Sequence, residues 1–146
     1  MKKNLVLMPL MLMSTLKAGS IACVIENVEK EEEFSWDSVM DAIIEVESRG
    51  DSLAVCDVYC GAMQISPIVV DDCNETLAKQ GRKLRYTLKD RFSVEKSKEM
   101  FRLLQGRYNP EQNVEKAIRL WNGGPSYTRR ATQTYYNKVM SAMASR

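Results

Sequence analysis

Trp36-Asp37-Ser38-Val39-Met40-Asp41-Ala42-Ile43-Ile44-Glu45-Val46-Glu47-Ser48-Arg49-Gly50 carries apolar side chains at Trp36, Val39, Met40, Ile43 and Ile44. That is the i, i+3, i+4, i+7, i+8 stripe by which an amphipathic helix meets its core. The next position in the stripe, i+11, is Glu47. A carboxylate on a buried face loses hydration, which disfavours its charged form and raises its pKa. Gly50 supplies a stop, so Glu47 falls in the last turn, where the negative end of the helix dipole acts in the same direction. A proton donor is therefore expected where a core residue was due. Glu45, two positions back, points away from the stripe and is read as a solvated surface acid.

Working outward from this helix, Glu47-Ser48-Arg49-Gly50 is followed by Gly61-Ala62-Met63-Gln64-Ile65-Ser66-Pro67, and later by Ala117-Ile118-Arg119-Leu120-Trp121-Asn122-Gly123-Gly124-Pro125. In order and spacing these segments resemble the lysozyme-like, soluble lytic transglycosylase superfamily, in a compact branch found in bacteria and their phages. Members of that superfamily carry E-S-x-G, G-x-M-Q-[IL]-x-P and aromatic-Asn-x-Gly segments. Three ordered motifs are far more specific than any one of them, and the similarity runs from Phe34 to Met143. It implies a mostly helical α+β domain of lysozyme-like fold with a small irregular β-hairpin. It also implies cleavage of the β-1,4 bond between N-acetylmuramic acid and N-acetylglucosamine in peptidoglycan, with Glu47 as the catalytic acid and no cofactor or metal.

The substrate-contacting residues expected on this basis are Ser48, Met63, Gln64, Tyr86, Trp121, Asn122 and Tyr127. Met63 either packs beneath the sugar groove or is ordinary core. Gln64 offers amide hydrogen bonds near the cleavage site, and Asn122 braces the groove. Tyr86 lines the groove or anchors its own loop. Trp121 is a departure, because many relatives have a Tyr there whose hydroxyl bonds the catalytic carboxylate. Indole nitrogen donates but cannot accept, so Trp121 is left as an apolar wall that keeps Glu47 protonated, a sugar-stacking face, or a core residue closing a helix. Glycosidases with two carboxylates hold them about 5 to 9.5 Å apart. The candidates for the second are Asp51 and Asp57, each of which a turn also explains. The resemblance favours a single-acid mechanism completed by the substrate's own N-acetyl group or 6-hydroxyl. Hydrolysis by a lysozyme-type reaction is the alternative, and a silent glycan-binding module the rival from another class.

Periodicity organises the rest of the chain. Leu53-Ala54-Val55 and Val58-Tyr59 suit an irregular hairpin, and Gly61 is expected to let backbone approach the substrate or the catalytic helix. Ser66-Pro67 opens a helix with a hydroxyl cap and Pro at its first position, with Val69, Val70, Cys73 and Leu77 inward. Residues 82–91 read as a loop with one short turn. Ser93 caps a helix whose inward face holds Val94, Phe101, Leu104 and Tyr108. Asn109 with Gln112 forms a capping box for the next helix, which carries Val114, Ala117, Ile118 and Trp121 before Gly123-Gly124-Pro125 stops it. A last helix from Thr128 buries some combination of Ala131, Tyr135, Val139 and Ala142.

The 146 residues, 45% of them hydrophobic, make one small domain with an extension. Lys2 and Lys3 before the apolar run Leu5–Leu16, then Ala18, Gly19, Ser20 and Ala22, read as a secretory leader over residues 1–22. Plain export is preferred, and a lipid anchor on Cys23 is the alternative, so the protein is placed in the periplasm or cell envelope, acting as a monomer. Residues 23–33, with five Glu, form an acidic solvated linker ahead of the domain at 34–146. Loss of Lys2, Lys3 and Lys17 with the leader turns a net charge of +2 into an excess of one acid. From Lys79 onward basic residues dominate, a pattern seen in nucleic-acid binders. Export points instead to anionic envelope polymers and the carboxylates of peptidoglycan stem peptides. The chain has no His, which removes Ser-His-Asp and Cys-His schemes and leaves acid-base chemistry near neutral pH to a tuned carboxylate.

Four cysteines in an exported chain suggest disulfides. A Cys60–Cys73 bridge is expected to tie the hairpin to the following helix, worth about 3 kcal/mol by the chain-entropy model. Cys56 is then the odd one, with Cys23 as its available partner. The Cys spacing matches a zinc site only weakly.

Overall fold

The structure, a computed structural model, describes residues 34–146. The leader, the acidic linker and Cys23 lie outside the described residues. Within them the chain runs α1 (Asp37–Ser48), β1 (Val55–Cys56), β2 (Tyr59–Cys60), α2 (Pro67–Lys79), a 3₁₀ turn (Leu88–Phe92), α3 (Val94–Tyr108), α4 (Val114–Gly123) and α5 (Arg129–Ala144). This is a mostly helical α+β domain. Its two-stranded antiparallel sheet pairs Val55 with Cys60 and Cys56 with Tyr59.

α1 behaves as its periodicity demands. Val39, Met40 and Ile43 are fully buried, joined by Ala42, while Trp36 and Ile44 pack half-buried against the core. Arg49 turns left-handed at φ 54° and ends the helix, followed by Gly50 at φ 86°. α1 lies against α5 and α4, α2 lies against α3, and α4 lies against α5. Met63, Ile65, Leu77, Met100, Phe101 and Ile118 fill the centre.

α2 and α3 take the caps expected, Ser66 Oγ accepting from Val69 N–H and Ser93 Oγ from Lys96 N–H, and α5 starts where expected, with Thr128 Oγ1 accepting from Ala131 N–H. α4 is different. Asn109 does not open it, and the helix begins at Val114 under an Asn113 cap whose side chain accepts from Lys116 N–H. Asn109 is 1% exposed. Its amide is used up inside the loop, accepting from Asn113 N–H and donating to Asn113 O and Gln105 Oε1. Gln112 sits at φ 56°, a left-handed conformation that a helix starting at Pro110 cannot contain.

The expected Cys60–Cys73 bridge is absent, and Cys56, Cys60 and Cys73 are all free thiols. Cys73 turns toward α3 rather than the hairpin, its Sγ lying 3.7 Å from Met100 O, and burial pushes its thiol up to about 12. Cys60 is engaged through its backbone, between Val55 on one side and Ile65 on the other.

Gly61 serves a close approach, although not to substrate or to α1. At φ +79°, a Cβ there would lie 1.8 Å from the carbonyl oxygen of Arg91. The Arg91 guanidinium returns across the same junction, donating to Val58 O and Ile65 O. The 3₁₀ turn is thereby clamped to the hairpin. Much of the basic second half is also paired, as in Lys98–Asp41 and Arg102–Asp37, which tie α3 to α1.

Candidate active site

A groove of about 660 Å³ opens beside the C-terminal end of α1, within the size range of small-molecule sites. Five parts of the chain build it. Glu47 comes from α1, Cys56 and Tyr59 from the hairpin, Ile68, Val69 and Asp72 from α2, and Leu104, Gln105 and Tyr108 from α3. The end of α4, Leu120 through Pro125, closes the remaining side.

Glu47 is half-buried, and one oxygen, Oε1, accepts a hydrogen bond of 2.7 Å from the hydroxyl of Tyr135. Burial raises its pKa above the ordinary carboxylate value, against the opposing influence of that bond. Tyr135 itself is held protonated by burial and by the Glu47 carboxylate beside it. A phenol that stays protonated keeps a hydrogen to donate to this carboxyl. The arrangement is a fixed, partly desolvated acid facing a cavity, which can protonate a bound leaving group and later take a proton back. Glu45 is exposed, as the stripe requires.

The other expected residues divide. Gln64, Trp121 and Asn122 line the groove with Glu47. Gln64 adopts φ 50°, a conformation uncommon outside glycine, and its amide nitrogen donates to Gly61 O at 2.9 Å. It braces the loop that carries it. Trp121 anchors one edge in the core, its Nε1 donating to Met63 O at 3.3 Å and its ring tilted on Phe101 at 5.2 Å, and presents the rest as groove wall.

Ser48, Met63, Tyr86 and Tyr127 do not line the groove. Ser48 Oγ donates to Ala62 O at 2.9 Å and so ties the end of α1 to the following motif. Met63 is fully buried core. Tyr86 anchors its loop: its backbone is gripped by the Asn74 amide and its hydroxyl donates to Glu99. Tyr127 packs behind the Gly-Gly stop, where a Cβ on Gly123 would meet it at 2.7 Å.

Asp51 and Asp57 are also away from the groove and exposed. Asp51 accepts from Leu53 N–H in a turn, and Asp57 holds φ 55° at the hairpin tip. The second carboxylate on the groove is Asp72, to which Arg107 donates at 2.6 Å and Tyr108 at 3.0 Å. Among the described residues no group of three or more Cys, Asp or Glu is arranged to hold a metal.

Asp72 and Gln105 on the groove escape a linear reading, because periodicity marks both as ordinary polar helix positions. Tyr108 and Tyr135 had a signal, since a Tyr on the inward stripe of an amphipathic helix needs a partner for its hydroxyl. The chain matches no protein-family model, no curated protein and no solved structure.

Proposed function

We propose that this protein is a lysozyme-like glycosidase of the cell envelope that cleaves the β-1,4 bond between N-acetylmuramic acid and N-acetylglucosamine in peptidoglycan. The observation that carries the reading is Glu47, a carboxyl whose pKa is raised by burial, oriented by Tyr135 and placed on a groove. Glu47 gives its proton to the glycosidic oxygen as the bond from that oxygen to the anomeric carbon breaks, the electron pair leaving with oxygen. The Glu47 carboxylate then takes the proton of the muramic acid 6-hydroxyl as that oxygen attacks the anomeric carbon. The product is a 1,6-anhydromuramic end, and the acid is restored. Asp51 and Asp57 are in no position to activate water, which supports this single-acid course.

Hydrolysis is the second reading, and Asp72 favours it, being a second carboxylate on the groove that holds Glu47. Against it, Asp72 is held by Arg107 and Tyr108.

Glu47→Gln keeps size and hydrogen bonding and removes the proton. Release of muropeptides from purified sacculi should fall by at least about 1,000-fold, in line with loss of an acid catalyst together with its charge, while the melting temperature does not fall. Undiminished release would end the assignment.

A further inference from the structure

Every Lys and Arg of α3 and α4 is paired with a carboxylate. Arg82, Lys83, Arg85 and Lys89, in the loop between α2 and α3, are different. All four are exposed, and none is ion-paired among the described residues. The acids around them are already engaged: Glu75 with Lys79 and Arg107, Asp90 with the N–H and hydroxyl of Thr87, and Glu99, beside Tyr86, with Lys96. Two leucines are interleaved with the cations, Leu84 at 40% and Leu88 at 50% exposure. The hairpin tip joins them. Arg91 Nε donates to Leu88 O at 2.9 Å and its Nη1 to Val58 O at 3.0 Å, so Leu88 and the exposed Val58 stand on either side of one guanidinium. The junction at Gly61 holds this arrangement fixed. Asp57 at the tip is an exposed acid, which leaves the four cations in excess.

We propose that this ridge, Val58 with the loop 82–89, docks the protein on a lipid bilayer carrying anionic headgroups, the cations meeting phosphates while Leu84, Leu88 and Val58 enter the boundary between headgroups and acyl chains. Aliphatic side chains set among Lys and Arg on a projecting surface have the composition of interfacial membrane elements. Each cation near an anionic surface strengthens binding about fivefold. Other occupants fit less well. A hydrated anionic polymer would satisfy the cations and leave the leucines in water, and a second copy of the same ridge would set cations against cations. No residue of the ridge lines the groove, so the docking stands apart from the glycan reading.

The test measures amide hydrogen exchange by mass spectrometry on the full chain, so that contact made by this ridge is read separately from contact made by any other segment. Vesicles are phosphatidylcholine alone or phosphatidylcholine with a third phosphatidylglycerol. Peptides covering Val58 and residues 82–90 should exchange more slowly with the anionic vesicles and unchanged with the neutral ones. Slowing confined to other segments, or equal on both vesicles, overturns the docking. Arg82→Gln, Lys83→Gln and Lys89→Gln together should raise about 100-fold the concentration of anionic lipid needed to slow these peptides. The melting temperature should hold, since none of the three is ion-paired. Leu84→Ser with Leu88→Ser should also raise that concentration, by at least about tenfold for two side chains withdrawn from an apolar boundary. An unchanged concentration in either variant overturns the proposal. Equal slowing of these peptides by a soluble polyphosphate, indifferent to the leucine changes, would make the partner a soluble polyanion and overturn it as well.

Discussion

Two opposed influences meet on the Glu47 proton: burial favours the neutral carboxyl, and the Tyr135 hydroxyl, donating to Oε1, favours the carboxylate. Tyr135→Phe removes the second, so the Glu47 pKa should rise further and the alkaline limb of the activity profile should move to higher pH. Turnover should drop about tenfold from lost orientation of the acid, with little change in KM. A limb that moved the other way in pH–rate measurements would mean that the hydroxyl does not donate to this carboxyl. Stability carries the same signature. Because the folded pKa of Glu47 is raised, the stabilisation linked to its proton is complete below the unfolded carboxylate's pKa and is lost as pH rises through the folded value. Glu47→Gln does not titrate, so its melting temperature should gain on the parent's as pH increases through that window, as calorimetry at a series of pH values would register. Glu47 itself was legible in the sequence, because a carboxylate falling on an apolar stripe is visible in eleven residues of helix. Its partner was not, since Tyr135 comes from a helix 88 residues away, and only packing decides which of several inward residues of α5 meets the end of α1.

The elements were legible in proportion to how local their signals are. α1 has its stripe, and α2, α3 and α5 a stripe and a hydroxyl cap within a few residues, and each forms where those signals place it. The start of α4 was misread because Asn109 has a buried, nonlocal duty to Gln105 and Asn113 that outweighs its capping chemistry. The bridge between Cys60 and Cys73 failed for a similar reason. Spacing brings the two segments into one neighbourhood but does not say that Cys73 turns toward α3. Native-state alkylation followed by peptide mapping should therefore modify the exposed Cys56 and leave Cys60 and Cys73 protected until the protein is unfolded, when both react without a reductant, and no peptide links them. The hairpin depends on its junction with the 3₁₀ turn. Gly61→Ala would drive a Cβ into the Arg91 carbonyl at a positive φ, and neither backbone can yield without releasing the Arg91 bonds to Val58 and Ile65. A loss of at least about 2 kcal/mol is expected in denaturant titration. A neutral result would show that the 3₁₀ turn is not clamped to the hairpin in solution.

Across the whole molecule, the three motif segments read from the sequence converge on one groove, to which Glu47, Gln64, Trp121 and Asn122 bring their side chains, while Ser48 and Met63 hold the framework behind it. α5 is locked to α4 by the nearly buried Arg119, which donates to Glu115, Thr132 and Gln133 and lies 4.4 Å above the Tyr136 ring. The position of Tyr135, and through it of the acid, is thus set by the packing of two helices remote from α1 in sequence. What this assembly places around Glu47 bears on the reaction type. Asp51 and Asp57 lie off the groove, and Asp72 is paired with Arg107 and Tyr108, so a water beside Glu47 has no free carboxylate to activate it. Attack by a hydroxyl already tethered to the reacting sugar has the advantage of high effective concentration and needs only the Glu47 carboxylate as base. Digestion of sacculi should therefore yield 1,6-anhydromuramic ends, lighter than hydrolytic products by a water for each bond cleaved, and Asp72→Asn should leave that product type unchanged. Mass spectrometry separates the outcomes. Reducing-end products throughout, lost together with activity in Asp72→Asn, would make Asp72 the base that activates water and the reaction that of a lysozyme.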